Sequence, residues 1–380
     1  MKKLIIGITA DVSVELLHGQ LKYFAGKGYD VYLMAPGTER TRSFVEKEGA
    51  TLLPISIERT ISPLKDLKTL VQINGVLRKV KPDIVNFGTP KVSLLGMMAA
   101  RITGVPFRIY TCRGFRFEHE AGKKRKFLIQ LEKVTAKCAH KVICISNSVK
   151  DLGVSEGIFK AEKAVTIGRG SSNGINLDRF YPRHEEKEKL AALKEQYKLG
   201  ESFVFGYVGR IVDRKGIKEL YEAFDVFYKE DNSVKLLVVG SPYWDQIADR
   251  GLIDRFNTHP AIIMAGTQPN EDVPYFLSLM DTFVLPAWWE GFGNVLIQAA
   301  AVGVPIISTD ATGCKDAVSN GYNGKLVPPY NVNELVDAMR YFRNHPEEIK
   351  TMGENGIEWA GNFRSEAVWE GMHRIYEAGR

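Results

Sequence analysis

Between Phe283 and Asp310 the chain reads FVLPAWWEGFGNVLIQAAAVGVPIISTD. A short apolar strand, Phe283 to Leu285, stops at Pro286. A polar loop with Trp288, Trp289 and Glu290 follows, then Gly291-Phe292-Gly293. Asn294 to Val302 reads as a helix closed by Gly303, and Val304 to Ser308 as a second buried strand. A crossover helix returns the chain to the same edge, so the two strands lie parallel. In such sheets a ligand sits beyond the carboxyl ends of the strands, beside helix N-termini. The first turn of this helix has free backbone N–H groups, and Gly291 and Gly293 let the backbone approach a ligand closely. The stretch reads as a seat for a diphosphate, with an acid, Glu290, just before it.

The same alternation runs along the rest of the chain. In the first half Leu4–Ile8, Val31–Met34, Thr51–Ile55, Ile84–Phe87, Val105–Tyr110 and Val142–Ser146 read as strands. Helices are expected at Ser13–Gly26, Thr41–Glu48, Leu64–Val80 and Lys91–Thr103. That spacing is βαβ spacing and predicts an open parallel sheet. In the second half Phe203–Val208, Val234–Val239 and Ala261–Met264 are strands, with helices at Ile217–Tyr228 and Trp244–Phe256. Residues 331–345, 347–358 and 364–377 complete the helices. A chain of 380 residues is too long for one small core, so two domains are expected. The run from Gly168 to Gly174 is too rich in glycine and serine to be an element. Three uses fit it: a hinge, a phosphate-contact loop, or the seam between halves. The last helix, with Trp369, Met372, Ile375 and Tyr376, has an apolar face that needs a partner surface, and the first domain is the candidate.

The net charge of +6 fits an anionic ligand or an anionic membrane and is too mild for nucleic acid. Cys112, Cys138, Cys144 and Cys314 show no paired spacing and are expected to be buried, reduced thiols. Asp11 and Glu15 end the N-terminal apolar run too early for a signal peptide or a span, so a cytoplasmic location is expected.

Two loops carry candidate chemistry. Gly209 and Gly216 bracket Arg210 and Lys215 after a strand and before a helix. The stretch is neither a P-loop nor a GxGxxG fingerprint. The Arg fork and the Lys point charge can approach one anion from two sides. Arg214 lies in the same turn, with solvent as its alternative direction. The loop after Tyr110 puts Arg113 beside Gly114, where a guanidinium can meet a phosphate; a solvated basic loop is the competing reading. His119 is given no role. Lys123, Lys124, Arg125 and Lys126 precede the amphipathic stretch Phe127–Leu131, which fits an anionic bilayer or a plain surface charge run equally. Gly266 and Thr267, at a strand end, would lie near a base or ribose.

Glu290-Gly291-Phe292-Gly293 with Gln298, and Gly209-Arg210 through Lys215-Gly216, resemble the signature of the retaining nucleotide-sugar glycosyltransferases of the large GT4 family. Thr111 to Phe117, Lys81–Val85 and Thr89–Lys91 resemble members that build capsule or O-antigen on a lipid-diphosphate carrier. The resemblance implies an α/β, GT-B fold: two Rossmann-like parallel-sheet domains facing each other across a cleft. It implies an acceptor-binding domain at 1–172, a linker and the start of the second domain at 173–200, a donor-binding domain at 201–360, and a helix at 361–380 crossing back. Arg210 and Lys215 would neutralise the donor diphosphate, and Glu290 would hold hydroxyls of the donor sugar. Gly209, Gly266, Thr267, Gly291 and the amides of Phe292, Gly293, Asn294 and Val295 would line the donor. Gln298 stands where the family usually has a glutamate on the ribose hydroxyls. Arg113, Gly114, Ser171 and Asn173 would contact the acceptor or its phosphate; related enzymes often have histidine where Arg113 stands.

The function so implied is retaining transfer of a sugar from a nucleotide diphosphate donor to a hydroxyl of a lipid-diphosphate-linked saccharide. UDP is the default carrier and an N-acetylated sugar one option. No cofactor is expected. No Asp-x-Asp pair sits at a strand end of the second half, so no metal site is assigned and metal independence is the simpler expectation. The partners would be the donor, the lipid-linked acceptor and an anionic membrane surface, with no nucleic acid. The location would be cytoplasmic, peripheral on the inner face of the cell membrane. The alternatives are a UDP-N-acetyl sugar 2-epimerase of GT-B fold, a non-catalytic sugar-nucleotide binding protein, and phosphorylase chemistry, for which no cofactor-lysine environment is identified.

Overall fold

The computed structural model describes residues 1–58 and 62–379. Its backbone divides into two compact units, Met1–Gly174 with Ser365–Arg380, and Ile175–Arg364.

The first unit is built on seven parallel strands. They are β1 (Lys2–Gly7), β2 (Tyr29–Ala35), β3 (Thr51–Pro54), β4 (Ile84–Phe87), β5 (Phe107–Cys112), β6 (Lys141–Cys144) and β7 (Ala164–Thr166). Their order is β3-β2-β1-β4-β5-β6-β7, so the direction of winding reverses between β1 and β4. Right-handed crossovers then put helices on both faces. One face carries α1 (Gln20–Gly26) and α2 (Glu39–Glu48). The other carries α3 (Pro63–Val80), α4 (Pro90–Ile102), α5 (Gly122–Cys138) and α6 (Asn147–Ser155). Helix starts follow their sequence signals: the Thr38 hydroxyl accepts from Thr41 N, and Ser146 from Val149 N. The helix expected at 13–26 is interrupted. Gly19, at φ 76°, separates a 3-10 turn at Asp11–Leu16 from α1.

The final helix, Ser365–Ala378, belongs to this unit. Its stripe Val368, Met372 and Tyr376 joins the core under α1 and α2. The Tyr376 hydroxyl accepts from Asn86 Nδ2 at 2.7 Å, and the Trp369 indole donates to Asn173 Oδ1 at 2.6 Å.

The second unit has six parallel strands in the order β10-β9-β8-β11-β12-β13. These are β8 (Phe203–Val208), β9 (Val234–Val239), β10 (Ile262–Gly266), β11 (Thr282–Leu285), β12 (Ile306–Thr309) and β13 (Gly324–Val327). The helices are α7 (Lys187–Gln196), α8 (Ile217–Glu230), α9 (Gly251–Thr258), α10 (Val273–Ser278), α11 (Asn294–Ala301), α12 (Cys314–Ala317), α13 (Val332–Asn344) and α14 (Pro346–Ala360). The helix expected at 244–256 divides into a 3-10 turn at Trp244–Gln246 and α9. Here the winding reverses between β8 and β11, the two strands whose loops carry the candidate residues.

The unit boundaries differ from the expected ones by a few residues. Residues 175–200 are part of the second unit: the Ile175 amide bonds to Phe363 O at 2.7 Å, and Arg183, 8% exposed, lies against the rings of Tyr181 and Tyr275. Residues 361–364 also stay there, because Phe363 is buried with its ring 5.2 Å from that of Phe292. All four cysteines are buried free thiols.

Candidate active site

The end of β8 is shaped by Tyr207. Its buried hydroxyl donates to Arg210 O at 2.7 Å and holds the turn against the strand. Gly209 N bonds to Val239 O at 2.9 Å, and Tyr207 stands under the position a Gly209 side chain would take. The chain then makes a 3-10 turn, Asp213–Lys215, fixed by Asp213 accepting from Ala248 N at 2.8 Å. Gly216 follows at φ 71°, and a Cβ there would sit 1.9 Å from Pro286 O. No other residue lets α8 start so close to the end of β11. The result presents Lys215 inward, 9% exposed, and leaves Arg210 at the surface beside the Tyr243 ring, 5.3 Å away.

The loop after β11 meets this turn. Trp288 N bonds to Arg214 O at 2.9 Å, and the Trp288 indole donates to Glu219 Oε1 at 3.0 Å. Glu290 N bonds to Thr312 O at 2.9 Å. These contacts set the Glu290 carboxylate against Lys215 Nζ, in a direct ion pair, with Arg214 Nη1 3.5 Å from the same oxygen. Burial pushes the Glu290 carboxyl up, but the charges of Lys215 and Arg214 together outweigh it and hold the group below its ordinary range. Arg210 is exposed, yet partial desolvation by its neighbours pushes its guanidinium down, and repulsion from Arg214 adds to it. Arg214 does not face solvent as its alternative direction allowed. It is half-buried, lies over the Trp289 ring at 5.0 Å and shares the Glu290 carboxylate.

Three cations, Arg210, Arg214 and Lys215, thus outnumber the carboxylates of Glu290 and Asp213 at the carboxyl end of the sheet where its winding reverses. That is the position at which open α/β sheets take ligands. The N-terminus of α11 opens from Gly293 at the same strand end, with the amides of Asn294 and Val295 in its first turn. Phe292 turns its ring away into the core, so only its backbone is available. Gly291 lies in the loop between Glu290 and this turn, and Gln298, half-buried, stands one turn further along α11. Gly266 and Thr267 lie two strands away at the end of β10, where the Thr267 and Ser241 hydroxyls are 2.6 Å apart.

Sequence reasoning missed Glu219 and the part played by Arg214. Glu219 is one turn along α8 from Lys215, and burial pushes its carboxyl up. The i, i+4 spacing was visible, but the partner, Trp288, comes from another strand end.

In the first unit, Arg113 lies at the end of β5 with Gly114, which has φ 98°. The Arg113 guanidinium rests on Gly88; its Nε and Nη1 are buried and have no hydrogen-bond partner. Burial pushes it down to about 10, which leaves it charged at neutral pH. Two of the residues expected at the acceptor take part in hydrogen bonds within the unit. Asn173 accepts from Trp369 Nε1 and Gln20 Nε2 and donates to His18 O at 2.9 Å, so its amide is committed to holding the final helix and α1. The Ser171 hydroxyl is buried and accepts from Gly174 N at 2.9 Å, closing the loop on itself. The basic run at the start of α5 is exposed at Lys123, Lys124 and Lys126, while Arg125 pairs with Glu156. Among the described residues no helix is long and apolar enough to cross a membrane.

Comparison with known proteins gives the family. Residues 189–359 match the family model of glycosyl transferases group 1, and residues 9–146 that of glycosyl transferase 4-like proteins. The chain is 35% identical over 370 residues to a capsular polysaccharide biosynthesis glycosyltransferase, CapM, of Staphylococcus aureus, covering 97% of this chain and 95% of the relative. It is 28% identical over 318 residues to an Escherichia coli UDP-Gal:alpha-D-GlcNAc-diphosphoundecaprenol alpha-1,3-galactosyltransferase, covering 82% and 79%. Among solved structures, Anabaena Alr3699/HepE in complex with UDP superposes with a TM-score of 0.81 over the whole of both chains at 18% identity, a likeness of fold.

Proposed function

The chain belongs to the GT4-like glycosyltransferases of GT-B fold, and on that premise we propose that it moves a sugar from a UDP-linked donor to a hydroxyl of a saccharide carried on a lipid diphosphate. One observation carries the reading: Lys215 and Arg214 pair with the carboxylate of Glu290 at the reversal point of the second sheet, and Arg210 in the same loop adds its charge to theirs. The excess positive charge there suits a diphosphate, whose phosphates would lie on Arg210, Lys215 and the first turn of α11. The relatives' own activities support the choice of partners. The E. coli relative takes UDP-galactose and a diphosphoundecaprenol-linked sugar, and the S. aureus relative serves capsule synthesis.

The chemistry follows from charge. As the donor C1–O bond breaks, negative charge grows on the departing diphosphate. Arg210, Lys215 and the α11 N-terminus meet that charge with donors already in place. In the retaining course we propose, the departing phosphate oxygen takes the proton of the incoming hydroxyl on the same face. Glu290 accepts hydrogen bonds from the donor sugar and is not the nucleophile. Gln298 reaches the ribose through its amide. Arg113 offers unsatisfied N–H groups to a phosphate of the acceptor, and the basic run Lys123–Lys126 rests on the anionic surface in which the lipid is anchored.

The test is direct. Purified protein is incubated with radiolabelled UDP-glucose, UDP-galactose, UDP-N-acetylglucosamine or UDP-N-acetylgalactosamine and a synthetic lipid-diphosphate saccharide. Label moving into the organic-extractable lipid from one of these donors is the expected result. Label recovered only as a free sugar isomer would move the reading to the epimerase, and no transfer from any UDP-sugar would overturn the choice of carrier.

A further inference from the structure

Charge in the first unit is unevenly distributed. Helices α3, α4 and α5 together carry twelve Lys and Arg and two acids, a net of +10 in a chain whose total is +6. Neither acid is free to offset the surface: Asp66 pairs with Lys91 at 2.6 Å, and Glu132 accepts from the Tyr110 hydroxyl at 2.7 Å. The rest of the molecule is therefore net acidic, and the excess of positive charge lies on this one layer.

The same layer exposes apolar side chains in a regular pattern. On α3, Leu64, Leu67 and Val71 are 84%, 59% and 63% exposed. Their i, i+3, i+7 spacing places them on one ridge, opposite the buried Thr69, Ile73 and Leu77. Lys68 stands beside that ridge and Arg78 and Lys79 continue it, all exposed. On α5, Phe127 and Val134 are exposed in line with Lys123, Lys126 and Lys137. A helix with cations and apolar residues mixed on its outer face is not shaped for water alone. Helix α4 packs between the two and is set deeper, so both ridges stand proud on one side. Both helices run against the strands, which brings their first turns to the carboxyl edge of the sheet, the edge that carries Arg113.

We propose that the outer face of α3, α4 and α5 is a membrane-docking surface for anionic lipid, in which the Leu64–Leu67–Val71 ridge enters the acyl boundary while the cations of α3 and α5 lie among the headgroups. This rests on the reading of Lys123–Lys126 as a membrane contact and extends it to an inserting element. Nucleic acid would satisfy the charge but would leave three leucine and valine side chains in water. A bilayer satisfies both.

The test uses the full chain and vesicles of phosphatidylcholine alone or with phosphatidylglycerol, read by co-sedimentation. The wild type is expected to bind the phosphatidylglycerol vesicles and to leave them as salt is raised. Leu64→Gln/Leu67→Gln/Val71→Gln, which leaves the charge unchanged, is expected to weaken that binding by roughly tenfold or more, with the melting temperature preserved. If this variant binds as the wild type does while Lys123→Gln/Lys126→Gln does not, the ridge is refuted and the basic-run reading stands. If the wild type ignores both vesicles, both fall. Wild-type dimers abolished by the triple variant, or tight binding of a random oligonucleotide in place of vesicles, would equally overturn the proposal.

Discussion

Lys215 and Glu290 form a buried ion pair that ties the end of β8 to the end of β11 across the point where the second sheet reverses its winding. Arg214 shares the same carboxylate oxygen at 3.5 Å. On the proposed reading, a diphosphate entering here would compete with Glu290 for Lys215. The acid released by that exchange would then be available to hydroxyl groups of the attached sugar.

Removing either cation should separate the two roles. Lys215→Ala and Arg210→Ala are each expected to lower turnover by about 100-fold or more, the scale for deleting a donor aimed at developing charge. Only Lys215→Ala should also lose stability, by about 3 kcal/mol, because it leaves Glu290 buried with a single, longer cation contact. Steady-state rates and thermal melts of the two purified variants decide it. Wild-type turnover in either would remove the diphosphate from these residues.

A second carboxylate makes stability depend on pH. Glu132, half-buried on α5 against Tyr110, is pushed up by desolvation from 4.5 to about 7. Its folded value lies above its unfolded value, so the folded chain holds the proton more tightly. The contribution is fully present below pH 4.5 and is lost as pH rises through about 7. The loss is on the order of 3 kcal/mol. Glu132→Gln should flatten that part of the profile, measured by urea unfolding between pH 5 and 8. An unchanged slope would show that Glu132 ionises freely.

Much of this architecture was legible because parallel strands buried on both faces read as short apolar runs. Ile306–Thr309 and Val234–Val239 are examples, and Gly216 and Gly293 mark the turns between such strands and their helices. What could not be read was direction. Nothing local says that Arg214 turns toward Glu290, since its partner is set by the loop after β11. The Gly168–Gly174 run leaves a hinge, a phosphate-contact loop and a seam open, because flexible, polar sequence serves all three. One of its side chains, Asn173, is held by the final helix, nearly two hundred residues on, whose Trp369 donates to it.

The structural role of Asn173 can be checked. Asn173→Ala should leave the Trp369 indole N–H buried without its partner and cost about 1–3 kcal/mol. The melting temperature should fall, while kcat and KM of the folded enzyme stay within about twofold, below the cost of losing a made hydrogen bond. A collapse of KM for the acceptor at unchanged stability would return Asn173 to the acceptor site.

Gln298 offers the sharpest distinction among the donor residues. It lies on α11 one turn past the amides of Asn294 and Val295 and is half-buried. A glutamine can accept a ribose hydroxyl through its carbonyl oxygen and can donate through its amide; a glutamate at neutral pH can only accept. If the ribose hydroxyls donate, Gln298→Glu turns a neutral hydrogen bond into a charge-assisted one, about twice as strong. The cations Arg214 and Lys215 at the same strand ends lower the cost of the added charge. Donor affinity, measured by calorimetry with the UDP-sugar, should then hold or tighten by up to about tenfold. A loss of that size instead would mean that Nε2 donates to the nucleotide, so that this chain reads its donor through an N–H group a carboxylate cannot supply.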